Sequence, residues 1–340
     1  MGQLTSKEVY AHGFSWRKRA LVKAFAQRPD VCFVRHGHEV SPGASLLLWG
    51  SSPVPPELPE GVHIYRMEDG FLRSVGLGAD LTRPISWVMD DLGIYYDASR
   101  PSRLEVLLES SQWDLHTLER ARCLRLQLVQ VGLTKYNLRG SEWKPVVGGH
   151  QVVLVVGQVE SDASIVSGGL QVRTNMDLLA KVRQMRPKSF LVYKPHPDVV
   201  AGLRRPGQGE EVASQYCDEV LQQGNMHQIL QHVDEVHVIT SLTGFEALLR
   251  GKRVHCHGHP FYAGWGLTVD TQVHERRTRR LTLDELVAGA LLQYPIYINP
   301  DTGQRYEVEE ALTSLALKLA RSSPREAWWR KFIRPWLARP

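Results

Sequence analysis

The sequence predicts an α/β protein with two Rossmann-like domains facing a central cleft. Three observations predict it. The chain has 340 residues, long for one hydrophobic core and comfortable for two. Short apolar runs alternate with helical patterns, which implies parallel sheets joined by right-handed crossovers. The alternation comes in two cycles separated by a polar connection containing Gly and Pro, GSEWKPVVGGH (140–150). The resulting division is an N-terminal Rossmann-like domain over 1–145, a C-terminal one over 146–290, and a helical segment over 291–340 that ends in a basic, Trp-rich tail.

In chain order, CFVRH (32–36), SLLLWG (45–50) and VHIYRM (62–67) predict buried strands, divided by turn-rich loops such as SSPVPPELPEG. Helical apolar spacing over 102–130 predicts two helices. The second cycle opens with QVVLVVGQV (151–159), a strongly apolar strand. TNMDLLAKVRQMR (174–186) predicts a helix with a Thr/Asn cap, stopped by Arg186 and Pro187. SFLVYK, EVHVIT and RVHCHG predict strands; EVASQYCDEVLQQG, MHQILQH and FEALLRGK predict helices.

Composition excludes several classes. Hydrophobic content of 43% and charged content of 23% are those of a globular protein. No apolar run approaches the roughly 18 residues of a membrane-spanning helix, and MGQLTSKEVYAHGFSWRKRA lacks the apolar core of a signal peptide. Gly2 and Ser6 formally fit a myristoylation pattern. Cys32, Cys123, Cys217 and Cys256 form no Cys-x-x-Cys pair, which argues against structural zinc and disulfides and fits a reducing cytoplasm. The net charge of +5 is concentrated in HERRTRRLTLDEL (274–286) and in the tail SSPREAWWRKFIRPWLARP. Two readings of that tail stand: a surface for anionic membrane, or a helix packed through its tryptophans. No nucleic-acid-binding module is recognisable.

Four motifs carry candidate chemistry. GQVESDAS (157–164) places Gln158, Glu160, Asp162 and Ser164 beyond the carboxyl end of a strand, where open α/β sheets bind ligands. A carboxylate there suits attack on, or stabilisation of, an oxocarbenium-like centre; a helix cap is the alternative. In YKPHPD, prolines on both sides of His196 stiffen the turn and position the imidazole and the Lys194 ammonium. TSLTGFEALLRG supplies Ser241 and Thr243 as phosphate donors, Gly244 for close backbone approach, and Glu246 for ribose hydroxyls; an ordinary capped helix start is compatible with both. EDGFLRSVGLG offers Glu68 and Asp69 as acid or base, with Arg73 placed to pair a substrate carboxylate. Two further patterns compete. FVRHGHE has the Arg-His-Gly of histidine phosphatases, with His36 as phosphoryl acceptor. HCHGH sets His255, His257 and His259 at alternating positions, where incidental strand histidines outweigh a metal site.

The blocks EDGFLRSVGLG, GIYYDASRPSRLE, GQVESDASI, YKPHPDVVAGLR and TSLTGFEALLRGKRVHCHGHPFYAGWGLT together resemble the retaining β-Kdo transferase modules of bacterial capsule polysaccharide assembly. Kdo is the eight-carbon acidic ketose 3-deoxy-D-manno-oct-2-ulosonic acid. The resemblance spans about residues 45 to 270. It implies a GT-B-like fold, an acceptor-side N-terminal domain and a C-terminal domain that binds the donor CMP-β-Kdo. It further implies relatedness to bacterial sialyltransferases, whose acidic-acidic-Gly, His-Pro and Ser/Thr motifs fall on Glu68-Asp69-Gly70, His196-Pro197, and Ser241 with Thr243. On this resemblance His196, Pro197, Ser241 and Thr243 hold the CMP phosphate, Glu246 contacts the ribose, and Asp162 is the nucleophile with Glu160 behind it. No metal or cofactor is implied.

Two departures stand out. The usual nucleophile segment has two consecutive aspartates, and here the first is Ser161. Many capsule enzymes of the family carry two modules, and this chain has one. The implied partners are CMP-Kdo, a lipid-linked Kdo oligosaccharide, and a partner transferase or export machinery. The implied location is the inner face of the cytoplasmic membrane. A phosphohydrolase using the RHG element and a non-catalytic polysaccharide-binding export protein are the alternatives.

Overall fold

The computed structural model describes residues 4, 6–76, 82–135, 137, 142–145 and 148–321. Gly2 and the Trp-rich tail lie outside the described residues. The first half supplies strands β1 (Val9–His12), β2 (Cys32–Val34), β3 (Ser45–Trp49), β4 (His63–Asp69) and β5 (Ser86–Asp90), with helices α1 (Arg19–Ala26), α2 (Arg103–Ser110) and α3 (Leu115–Val131). The second half supplies β6 (Val152–Val156), β7 (Phe190–Lys194), β8 (Glu219–Val220), β9 (Glu235–Val238), β10 (Arg253–Cys256) and β11 (Val269–Asp270). Its helices are α4 (Ala163–Gly168), α5 (Asn175–Met185), α6 (Pro197–Val200), α7 (Met226–Gln231), α8 (Thr243–Leu249) and α9 (Leu283–Val287). The chain then forms β12 (Pro295–Ile298), β13 (Arg305–Tyr306) and α10 (Val308–Arg321).

The second sheet is wholly parallel, in the order β11-β10-β9-β6-β7-β8. That is the doubly wound order of a Rossmann domain, with its topological switch between β6 and β9. Val152–Val156 is buried at every position, as a strand covered on both faces requires. The first sheet runs β13-β12-β5-β4-β3-β1-β2. β1 to β4 are parallel, whereas β5, β12 and β13 alternate in direction.

Two expectations need correction. The segment over 291–340 is not purely helical, because β12 and β13 extend the first sheet beyond β5. PIYI is buried at all four positions, and pairing with β5 satisfies its backbone. The helix expected over EVASQYCDEVLQQG is a short 3-10 helix, Glu210–Gln215, followed by β8. The open edge of β7 takes that strand (Val192 beside Glu219), so sheet pairing overrides a helical pattern with little apolar content. The expected connection 140–150 contains Trp143, which is buried and donates from Nε1 to Glu219 Oε1 at 2.8 Å.

A single apolar cluster runs through both halves. It includes Phe71, Val88 and Leu104 from the first half and Leu154, Phe245 and Trp265 from the second. Phe71 stacks on Phe261 with ring centroids 4.4 Å apart. The arginine run 274–280 adds a polar clasp. Arg276 and Arg277 both pair with Glu105 of α2, at 2.6 and 3.1 Å, and Arg277 also donates to the Pro260 and Ala263 carbonyls. These arginines are spent inside the protein rather than displayed to an anionic partner. Among the described residues no helix is long and apolar enough to cross a membrane.

Candidate active site

The carboxyl ends of β3 and β4 meet those of β6, β7 and β9 around a cavity of about 540 Å³. Trp49, Glu68, Asp69, Tyr95, Tyr96 and Lys135 line it from the first half. Gln158, Asp162, Lys194, His196, Pro197, Ser241, Thr243 and Glu246 line it from the second. Four sequence blocks that are far apart in the chain therefore converge at the switch point of the parallel sheet.

Asp162 is both cap and cavity residue. Its Oδ1 accepts the Ser164 N–H at 2.8 Å and starts α4, which fixes the direction of an exposed carboxylate. Its charge is felt across the cavity by Tyr96 and by His196. Glu160 points elsewhere: Oε1 accepts Asn175 N–H at 2.8 Å and Oε2 accepts Gln208 N–H at 3.0 Å, and it does not line the cavity. Gln158 lines the cavity, but its carboxamide is occupied by Thr240.

Around the His-Pro turn, His196 Nδ1 accepts the Asp198 N–H at 3.1 Å and starts the short α6. This bond assigns the imidazole proton to Nε2. Burial holds His196 below its usual range, so it is a neutral donor. Lys194 is buried, donates to the Gln222 carbonyl at 3.0 Å, and is pushed down by burial to about 8. Ser241 Oγ accepts the Thr243 N–H at 3.3 Å. Gly244 serves packing: a Cβ there would lie 2.2 Å from the Tyr262 hydroxyl, so the glycine admits a tyrosine ring rather than a ligand. Glu246 is buried and held above its usual range by that burial. It forms no capping box, and its Oε1 accepts the Lys135 N–H at 2.7 Å.

The acidic pair divides its roles. Asp69 is tied on both oxygens, by Trp87 Nε1 at 3.0 Å and Arg73 Nε at 2.6 Å. Arg73 is thus buried against Asp69 and does not line the cavity, contrary to the expectation that it pairs a substrate group. Glu68 accepts the adjacent Asp69 N–H at 2.9 Å, and burial first, then Asp69, pushes it up to about 7. Lys135, and then Lys18 with its ammonium 3.1 Å from the Trp49 ring centre, temper that rise.

The competing patterns lie elsewhere. His36 is exposed, starts the turn Gly37–Glu39 and stacks on His38 at 5.4 Å, outside the cavity. His255 joins Glu235 and His237 in a buried cluster whose ligand atoms lie within 4.8 Å. His237 Nε2 is 2.6 Å and Arg186 Nε 3.0 Å from Glu235 Oε1, so a guanidinium already neutralises the carboxylate. His257 contacts His237 at 3.0 Å, whereas the His259 ring lies tilted against His274 with centroids 4.5 Å apart.

This convergence agrees with the comparisons. Residues 58–137 and 145–306 match the family described as "Capsule polysaccharide biosynthesis protein". The chain belongs to the capsule polysaccharide biosynthesis family. It is 44% identical over 314 residues to the capsule polysaccharide modification protein LipA of Neisseria meningitidis serogroup B, covering 89% of this chain and 45% of that protein. It is 41% identical to the lipopolysaccharide-processing protein LpsZ of Rhizobium meliloti, covering 81% of this chain and 64% of that protein. This family member thus spans about half the length of LipA. Two solved structures of Thermosulfurimonas dismutans KpsC match it. One is named a beta Kdo 2,7 transferase (TM-score 0.76, 40% identity) and the other a beta Kdo 2,4 transferase (TM-score 0.78, 33% identity). Each covers 92% of this chain and 99% of the matched one, and the fold is GT-B-like as expected.

Several cavity residues of this capsule-family chain escaped sequence reasoning: Trp49, Tyr95, Tyr96, Lys135, Arg204 and Thr240. The tyrosines lie in GIYYDASRPSRLE, a block that carries the resemblance without suggesting a role. Lys135 follows a helix in an unremarkable TKYN stretch and reaches the site only through tertiary contacts.

Proposed function

We propose that this chain is a retaining glycosyltransferase that moves Kdo from CMP-β-Kdo to a Kdo-containing, lipid-linked glycan. The observation that carries the reading is Asp162: a carboxylate directed by its cap into a cavity that also holds neutral His196, the Ser241 and Thr243 hydroxyls, and Glu68. The similarity to the KpsC beta Kdo transferases suggests the sugar.

In the first displacement an Asp162 oxygen bonds to the anomeric carbon of Kdo. The bond from that carbon to the phosphate oxygen breaks, and CMP leaves with the electron pair. His196 Nε2–H and the Ser241 and Thr243 hydroxyls stabilise the growing phosphate charge. In the second displacement an acceptor hydroxyl attacks the same carbon while Glu68 takes its proton, and the Asp162 carboxylate departs. Two inversions give net retention. Glu68 suits the base because its raised value lies near neutral pH, whereas Asp69 and Glu160 are tied by hydrogen bonds. The charges involved are met by protein groups, and the scheme uses no metal. A lipid-linked acceptor would place the enzyme at the inner face of the cytoplasmic membrane.

Intact-protein mass spectrometry after incubation with freshly generated CMP-Kdo, without acceptor, tests the reading. One added Kdo mapped to the peptide containing Asp162 supports it. An adduct on another residue, or no adduct together with no CMP release, counts against it.

A further inference from the structure

The donor's sugar carries its own negative charge. An ulosonic acid has a carboxylate bonded directly to the anomeric carbon, beside the centre that Asp162 would attack. A carboxylate nucleophile and a carboxylate substrate repel each other, so the cavity needs a cation distinct from the groups that hold the phosphate. Arg73 was the sequence candidate for pairing a substrate carboxylate, and it is committed to Asp69.

Among the described residues lining the cavity, the Lys and Arg side chains are Lys135, Lys194 and Arg204. Lys194 is buried at the end of β7 and donates to the Gln222 carbonyl, beside the His196 turn. Arg204 is exposed at the rim, beyond α6. Lys135 is different because its main chain is clamped by both halves. Its N–H donates to Glu246 Oε1 at 2.7 Å in α8, and its carbonyl accepts the Arg73 and Ser74 N–H groups at 3.3 and 3.2 Å. Its neighbour Leu133 accepts from Arg250 Nη2 at 2.8 Å, and Asn137 Nδ2 donates to the Ser74 carbonyl at 2.9 Å. The side chain therefore starts from a fixed point at the seam. Its charge is felt by Glu68 on one wall and by His196 and Glu246 on the other.

We propose that Lys135 forms the carboxylate subsite of this cavity, holding the carboxylate of the transferred ulosonic acid while His196, Ser241 and Thr243 hold the phosphate. The inference rests on the Kdo-transfer reading and deepens it. The subsite makes the enzyme select acidic ketose donors. It also screens the approach of Asp162 to a carbon that bears a negative substituent. Placement at the seam makes the subsite dependent on both halves, since either clamp alone would leave the lysine unpositioned.

The test compares the kinetics of Lys135→Met, Lys135→Arg and Arg204→Ala with wild type, using freshly generated CMP-Kdo as donor and CMP as product inhibitor. CMP carries the phosphate without the carboxylate. Lys135→Met is expected to lower kcat/KM for the donor by about 10- to 100-fold, the range for a lost charge-assisted hydrogen bond, with CMP inhibition changed less than about twofold. Lys135→Arg should recover most of the loss. A thermal melt of Lys135→Met checks that the variant is folded, because the two clamps use main-chain atoms. A parallel loss of CMP inhibition would make Lys135 a phosphate ligand and overturn the proposal. Unchanged donor kinetics, or a donor-selective loss in Arg204→Ala instead, would overturn it as well. Wild-type protein that turns over no CMP-Kdo would overturn the underlying reading, a result distinct from any of these.

Discussion

Gln158 and Thr240 hold each other by two hydrogen bonds across the junction of β6 and β9: Oε1 accepts the Thr240 N–H at 2.8 Å, and Nε2 donates to Thr240 Oγ1 at 3.0 Å. The pair closes the switch point of the sheet and sets the starting position of the Ser241 turn. Gln158→Leu keeps the volume and leaves the buried Thr240 N–H without its acceptor, while the Thr240 hydroxyl keeps its bond to Ser164 Oγ at 3.2 Å. Its expected cost is about 1–3 kcal/mol of stability, read by urea unfolding. Displacement of Ser241 should also lower transfer by up to about 100-fold. Full activity in this variant would mean that Ser241 is positioned by other contacts.

Asp162→Asn keeps an oxygen that can cap α4 and removes the charge needed for attack. Transfer should fall by roughly 1,000-fold or more, while calorimetric CMP binding and the melting temperature stay near wild type. Normal turnover by this variant would rule out Asp162 as nucleophile.

Glu68 gives opposite pH signatures in rate and in stability. As a base it must be ionised, so transfer should rise with pH through about 7 and then level off. Its folded value lies above the ordinary carboxylate value of 4.5, so the folded state binds the extra proton. Its favourable contribution is complete below about 4.5 and is lost as pH rises through about 7. Glu68→Gln should therefore melt higher than wild type at pH 8, with the gap closing near pH 4.5, and should lose transfer at pH 8. Equal melting curves at pH 8 would show that burial does not perturb this carboxyl.

The clasp of Glu105 on Arg277 is buried on both sides, with side-chain exposures of 8% and 3%. Glu105→Ala strands a buried guanidinium, at an expected cost of about 3–5 kcal/mol. Chemical denaturation measures it, and limited proteolysis should open the 271–282 segment first. A cost within experimental error would mean that the Pro260 and Ala263 carbonyls suffice for Arg277.

The Glu235, His237 and His255 cluster is expected to act as a hydrogen-bonded core, because Arg186 already neutralises the carboxylate. Exhaustive chelation should leave the melting temperature unchanged. A melt that drops on chelation and recovers with zinc would reassign the cluster as a metal site.

Legibility in the sequence followed burial and locality. Val152–Val156 and the helix over 175–185 were readable because period and composition agree over a whole element. β1 was missed because only Val9 and Ala11 of its four residues are buried, too few to stand out in a polar stretch. β8 was read as helix because its strand character comes from the edge of β7 and not from its own residues. Among site residues, Asp162, His196 and Ser241 follow strands and so could be placed at the cleft in advance. Lys135 and the Arg73–Asp69 pair could not, since their roles are set by partners 111 and 4 positions away whose geometry no spacing encodes.

The return of β12 and β13 to the first sheet has a mechanical meaning. The chain passes between the halves twice, once between α3 and β6 and once between β11 and β12. A body attached at two points turns like a door about the line through its hinges, and twisting about other axes is resisted by covalent chain. Any opening of the cleft would thereby be confined to nearly one rotation. Under the proposed function, the two walls that carry Glu68 and Asp162 would part along that one path and return to the same register.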